Sequence, residues 1–331
     1  MFTREEALHR VEGASPARLF GPPAPDRRAE AKRLYRALAG ALHPDRVAPD
    51  DTRAHRASAD LTRLYHDWRH AEPVTLRTTR GTYRLTDPHA VGSVANLYRT
   101  TGRHVVKLAR NPKLNPLLHA EWHALRTLDR FTDHHRWLKP YYPALHDTGD
   151  IERGQRAFTV LEPLIDGFAT LTEVKAANPN GLDGRDYAWM HRRLLRALAG
   201  AHKAGLVHGA VTTDNVLVHP EQHGIVLVGW SFAVEPGQPA LATDRTTTYP
   251  PEVTRKQPLT PATDVHMAHR LMLDVLAHNE KRQRTFARGC TQPDPAARPE
   301  AADLLDEYDQ LLEDTYGARV FRPFALPRRG A

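Results

Sequence analysis

The chain predicts an α+β fold in which a small all-α domain is followed by a lobe of antiparallel strands and then by a helical lobe. Three features predict it. Residues 14–70 carry two stretches of helical periodicity separated by a proline loop, residues 73–110 switch to short apolar runs of β type, and residues 261–312 return to an almost wholly helical pattern.

The first helix follows Leu19-Phe20-Gly21 and the breaker run Pro22-Pro23-Ala24-Pro25. Asp26 is placed to cap it, and Ala31, Leu34, Tyr35, Leu38, Ala41 and Leu42 fall on one face. Pro44 ends it, because the residue before a proline disfavours α geometry. A second helix begins near Pro49-Asp50-Asp51 and carries Ala54, Ala57, Leu61, Leu64, Tyr65 and Trp68 at three- and four-residue steps. Two such stripes on a short loop make an αα-hairpin. Strand-like runs then follow at Val74–Leu76, Thr82–Leu85, Val94–Tyr98 and His104–Leu108. Helical periodicity resumes from Leu117 to Leu128, strands are expected around Ala157–Leu161, and a long helix from about Asp186 to Lys203. In the last helical region Leu271, Val275, Leu304, Leu305 and Leu311 are core candidates. The domain layout is therefore 1–70 helical, 71–81 linker or leading strand, 82–316 the two-lobed domain divided near residue 161, and 317–331 a flexible tail.

Composition narrows the function. With 331 residues, 40% hydrophobic and 26% charged, the chain is long enough for two cores. A single cysteine, Cys290, excludes an internal disulfide framework and thiolate metal clusters, and it fits a reducing cytoplasm. The first residues, Met1 to Glu6, lead into no apolar run, so neither a secretory signal nor a membrane span is expected. The formal charge of +7 raises the question of an acidic partner. The arginines are spread along the chain among carboxylates, without a recognition helix, zinc spacing or aromatic stacking motif, so nucleic acid is not the expected partner. The histidines, including His134, His135 and His266, show no ligand spacing, and no metal site is expected.

The loop between the N-terminal helices reads His43-Pro44-Asp45, and the helix before it presents Arg27, Arg28, Lys32, Arg33 and Arg36 on its polar face. Proline fixes the loop backbone, Asp45 offers a carboxylate to a partner arginine, His43 offers a ring, and the basic helix steers toward an acidic surface. The bland alternative is a proline that ends a helix between two solvated side chains. Residues 14–70 resemble a J domain, the module by which DnaJ-type co-chaperones act on DnaK-type chaperone ATPases. The resemblance implies that residues 27–45 contact a DnaK-type chaperone and stimulate its ATP hydrolysis, while catalysing nothing themselves.

Further on, Val105-Val106-Lys107, Glu121, Leu161-Glu162, His208 with Asn215, Tyr249-Pro250-Pro251-Glu252, Asp264 and Arg298 occur in that order. This succession resembles a protein kinase across residues 82–312. The resemblance makes Lys107 the strand lysine that holds nucleotide phosphates, Glu121 its helix partner, Glu162 a hinge residue and Asn215 a metal ligand of the catalytic loop. It also makes His208, Glu252, Asp264 and Arg298 structural, with Glu252 and Arg298 as a buried ion pair. The departures fall on chemistry. Ala210 stands where H-R-D-L-x-x-x-N has its catalytic aspartate, Gly209 where it has arginine, and Gly229-Trp230-Ser231 where D-F-G supplies the magnesium ligand. The phosphate-cradling loop, residues 90–97, keeps only the central Gly92. Without the arginine, the threonines 246–248 read as plain loop rather than as a phosphorylation switch.

A general base contributes about 10² to 10⁴ in rate, and a catalytic metal several kcal/mol more, so phosphoryl transfer should be lost. The expected molecule is a cytoplasmic adaptor: the J-like domain recruits and stimulates a DnaK-type chaperone, and the kinase-like domain holds an unidentified protein client. No cofactor is required. Lys107 with Glu121 either holds ATP without efficient magnesium coordination or forms a structural ion pair. Two alternatives stand beside it: an atypical kinase or nucleotide transferase using another carboxylate such as Asp214, and a pure interaction scaffold.

Overall fold

Local capping explains where most of the N-terminal helices start. In the computed structural model, which describes residues 2–21, 27–43, 51–70, 74–151, 155–244 and 247–326, Thr3 and Glu6 exchange hydrogen bonds in a capping box that opens α1 (Arg4–Val11). Ser15 and Pro16 start the short α2 (Pro16–Phe20). Next come α3 (Arg28–Ala41) and α4 (Thr52–His70). Asp51 starts α4 by accepting the Ala54 N–H at 3.0 Å. The proposed cap Asp26, and Pro44, Asp45, Pro49 and Asp50, lie outside the described residues.

The apolar stripes meet as their spacing requires. Ala31, Leu38 and Leu42 are buried with Ala54, Ala57, Leu61, Leu64 and Trp68, and Ala7, Leu8, Val11 and Phe20 join the same core. Tyr35 stacks on Tyr65 with ring centroids 4.4 Å apart. The Trp68 indole donates to the Gly21 carbonyl at 2.7 Å, so this buried N–H is satisfied.

The chain divides into two compact units, Met1–Arg110 with Asp147–Val160, and Asn111–His146 with Leu161–Ala331. Beside its helices the first unit holds most of a six-stranded sheet. Its strands are β1 (Thr75–Arg77), β2 (Thr82–Val91), β3 (Ala95–Thr100), β4 (Val105–Ala109), β5 (Leu145–Ile151) and β6 (Arg156–Leu161), in the spatial order β1-β2-β3-β4-β6-β5. The first three neighbouring pairs are antiparallel. Pairing of β2 with β3 shifts register on either side of Pro88, which has no N–H to offer the ladder. Leu76, Tyr83, Leu85, Val106, Leu108, Phe158 and Val160 form the core of the sheet. Beside them the Tyr83 hydroxyl donates to Asp147 at 2.8 Å. Burial first, and the Asp147 carboxylate second, push the Tyr83 phenol up to about 12.

The second unit is mainly helical: α5 (Asn115–His134), α6 (Leu171–Ala177), α7 (Gly184–Lys203), α8 (Pro251–Thr254), α9 (Pro261–Val275), α10 (Lys281–Gly289) and α11 (Asp303–Tyr316). A small sheet, β7 (Ala169–Thr170), β8 (Val216–His219) and β9 (Gly224–Leu227), lies among them. The buried face of α7, with Tyr187, Met190, Leu194, Leu195 and Leu198, forms the centre of a large core with Leu227, Trp230, Val265, Met272 and Tyr308. The Tyr142 hydroxyl reaches the Ala197 carbonyl at 2.7 Å, and burial, its largest cause, pushes the phenol far up. Residues 317–326, expected to form part of a flexible tail, are anchored instead. Phe324 is buried in the core, and Arg322 pairs with Asp186 at 2.8 Å. Among the described residues no helix is long and apolar enough to cross a membrane.

Candidate functional site

The degenerate loop 207–215 connects α7 to β8 and is held in place by polar contacts that do not depend on catalysis. Val207 and Val234 exchange backbone hydrogen bonds at 2.8 and 3.0 Å. Asp264 near the start of α9, fully buried, accepts the backbone N–H of His208 at 2.7 Å and of Gly209 at 2.8 Å, and contacts His202 Nε2 at 3.0 Å. A buried carboxylate is tolerated when its lone pairs are filled in this way. His208 Nε2 lies 2.8 Å from the Val228 carbonyl, and its Nδ1 accepts the Ala210 N–H at 3.2 Å. Those roles require the neutral ring with its proton on Nε2. These contacts tie the His208 ring and the Asp264 carboxylate to the backbone of the loop.

Gly209 has φ +70°, a left-handed conformation. A Cβ there would lie 3.0 Å from the Phe232 carbonyl oxygen and 3.1 Å from Leu259. The arginine of a kinase catalytic loop could not be placed on this backbone without strain.

Ala210 is buried and ends in a methyl group. Asn215 keeps its side chain turned back onto the loop, where Nδ2 donates to the Ala210 carbonyl at 2.9 Å. The Asn215 backbone carbonyl accepts the Val228 N–H at 2.8 Å, which ties the loop to the strand end before Gly229. Gly229 has φ +86°, and a Cβ built on it would collide with Cγ, Oδ1 and Nδ2 of Asn215, the last at 2.5 Å. The space that a D-F-G carboxylate would need is occupied by the Asn215 amide. The next residue, Trp230, is fully buried; its indole donates to Leu227 at 2.7 Å, and its ring packs edge-on against His208 at 4.6 Å and Tyr142 at 5.7 Å. Neither Ala210 nor Gly229 therefore supplies a carboxylate at a transfer position.

Asp214 is exposed and accepts the Thr172 hydroxyl at 2.6 Å, which holds it toward the start of α6. Glu252 and Arg298 pair as expected, at 2.6 and 3.0 Å through both guanidinium nitrogens. Arg298 also donates to the carbonyls of Gln292, Pro293 and Ala262, at 2.6, 3.0 and 3.1 Å. Burial pushes the Glu252 carboxyl up, but Arg298 and the Thr263 hydroxyl outweigh it and hold the group below its usual range. Glu162 is exposed, with its carboxylate 2.7 Å from His146 Nδ1.

In the first unit, Gly92 closes the β2–β3 hairpin. Its N–H reaches the Ala95 carbonyl at 3.0 Å, and a Cβ would sit 2.9 Å from that oxygen, so the turn itself demands glycine. Lys107 is half-buried on β4 opposite Leu97. Glu121 is buried on α5 in the second unit. Arg28, Lys32, Arg33 and Arg36 are exposed on α3, and so is His43 just beyond it. Sequence reasoning did not identify His202 as a contact of Asp264, or Thr172 as the group that holds Asp214. Neither has a local sequence signal, since their partners lie 62 and 42 residues away.

No family model matches the chain, and no curated protein matches it. Among solved structures 1965 chains match. One of them, described as "Structure of vaccinia related kinase 3", has a TM-score of 0.61 at 17% identity, covering 78% of this chain and 96% of that one. The fold is protein-kinase-like. At that identity the likeness speaks to architecture alone: an antiparallel sheet lobe and a helical lobe.

Proposed function

We propose that this chain is a catalytically inactive kinase-like adaptor. One observation carries the reading: the Asn215 amide packs against Gly229 and donates to the backbone carbonyl of Ala210, the two positions at which a kinase carries its metal ligand and general base. The retained Asp264 contacts and the Glu252–Arg298 pair keep the scaffold, which suits a domain that holds a protein client. Replacing both carboxylates removes the general base and one metal ligand together.

In the same proposal the N-terminal helices act as a J-like module. The support is the exposed row Arg28, Lys32, Arg33 and Arg36 on α3, next to His43 and the sequence Pro44-Asp45. Such a row favours encounter with an acidic surface. The test is single-turnover ATP hydrolysis by a DnaK-type chaperone with and without the full chain. Stimulation that disappears with His43→Gln supports recruitment. No stimulation, or equal stimulation by His43→Gln, removes the co-chaperone role and leaves the interaction scaffold.

The enzymatic alternative rests on the retained Lys107, Glu121 and Asn215. Thr172 engages the carboxylate that it would need, Asp214. The adaptor reading is therefore preferred.

A further inference from the structure

Trp189, Arg192, Arg193 and Arg196 recur at three- and four-residue steps and share one face of α7. The anchored C-terminal segment packs beside this face through Arg322 on Asp186, Phe321 on His223 and Phe324 on Trp189, and Arg319 lies two residues before Phe321. Two of these guanidinium groups are neutralised: Arg192 pairs with Asp309 at 2.6 Å and Arg322 with Asp186 at 2.8 Å. Arg196 and Arg319 have no ion pair among the described residues, and Arg193 makes a long contact of 3.5 Å to the Tyr141 hydroxyl. The groups sense one another. Burial is the largest influence holding Arg192 below its usual range, with Arg319 and Arg196 adding to it against Asp309. Burial likewise leads in lowering His223, followed by Arg193, with Arg319 adding to the effect and the Arg322 backbone and Asp186 opposing.

A second, independent observation concerns hydrogen bonds. The Trp189 and His223 rings stack 4.2 Å apart and 5° from parallel, and Phe321 covers the other face of His223 at 4.7 Å. The two stacked side chains are 8% and 7% exposed. Yet Trp189 Nε1 and His223 Nε2 have no hydrogen-bond partner among the described residues. An indole N–H can only donate, so this buried group calls for an acceptor, and three guanidinium groups without full counter-charge call for an anion. Guanidinium forks match the oxygens of phosphate in pairs.

We propose that Trp189, Arg193 and Arg196 of α7, His223, and Arg319 of the C-terminal segment form a binding site for a phosphate-type oxyanion. This site is separate from the degenerate catalytic loop and does not depend on the chaperone reading. Its ligand is either free phosphate or the phosphate of a small phosphomonoester, which share the recognising chemistry.

The test uses the full chain at constant ionic strength, with inorganic phosphate and O-phosphoserine titrated separately against chloride. Melting temperature and tryptophan fluorescence are read. A saturable rise in melting temperature with either probe is expected, and the stronger probe identifies the source. Arg196→Gln/Arg319→Gln should weaken binding about a hundredfold, at about tenfold for each lost charge-assisted contact. The charge-matched control Arg255→Gln/Arg288→Gln, at two exposed arginines outside the site, should bind as the unmodified chain does. Trp189→Phe keeps an aromatic ring but removes the N–H, and should lower the affinity while the melting temperature in chloride stays close to that of the unmodified chain. Absence of a saturable response to both probes overturns the site. So does equal weakening in the control and site variants.

Discussion

Gly229→Ala probes the packing on which the inactive reading depends. Two separate costs are legible at this position. The backbone is left-handed at φ +86°, which an L side chain adopts at a cost of about 1–2 kcal/mol. The added methyl also overlaps the Asn215 amide, and forcing an extra carbon into packed surroundings costs about 1–3 kcal/mol. Together they predict a loss of about 2–5 kcal/mol. A double-mutant cycle separates them. Asn215→Ala removes Cγ, Oδ1 and Nδ2, the atoms that the new methyl would meet, and sacrifices the hydrogen bond to Ala210. In that background only the backbone cost should remain, giving a coupling of about 1–3 kcal/mol. Urea denaturation of the four proteins, with the transition of the helical unit followed by near-ultraviolet circular dichroism, measures it. A neutral Gly229→Ala, or a cycle with no coupling, would refute the packing of Asn215 on Gly229.

The other expectations follow from equally local contacts. Arg298→Ala should destabilise the chain by about 3–5 kcal/mol, because it leaves the Glu252 carboxylate buried without its partner; equilibrium unfolding checks it, and Arg298→Leu with Glu252→Leu should recover part of the loss. Stability should fall on acidification from pH 6.5 toward 4. The His269 ring, lowered to about 4 chiefly by burial, resists protonation in the folded chain, whereas the unfolded chain takes up its proton near 6.5. Its stabilisation is complete above the unfolded value and is lost as pH falls through the folded one, about 3 kcal/mol in all. His191, 3.2 Å away through the two Nε2 atoms, shifts in the same direction, so His191→Phe/His269→Phe should flatten the slope of melting temperature against pH. Any rise in melting temperature with ATP should be the same in magnesium as in EDTA, because Gly229 supplies no metal ligand; a magnesium-dependent rise would contradict that.

Much of the fold was legible because it is periodic. The two apolar stripes of α3 and α4 enter one core as their spacing required, and α7 begins within two residues of the expected position. The strands β7, β8 and β9 were not anticipated, since runs of two to four residues carry too little pattern to separate from loops. The strand β2 runs beyond the expected Thr82–Leu85, and a register shift accommodates Pro88 within it. At the site, the identities of Ala210 and Gly229 pointed to missing chemistry. The sequence carried no sign of the Asn215 amide filling that space, because a side-chain direction set by one hydrogen bond to a backbone carbonyl leaves no periodic trace. Anchoring of residues 317–326 was equally hidden: it depends on Phe324 and Arg322 finding partners far back in the chain.

The central claim, that the kinase-like domain cannot transfer a phosphoryl group, is tested most directly by incubating the full chain with γ-labelled ATP and either magnesium or manganese, next to Lys107→Ala. The account predicts equal background label in both proteins, on the chain itself and on added protein substrates. Label transfer by the unmodified chain that Lys107→Ala abolishes would contradict it.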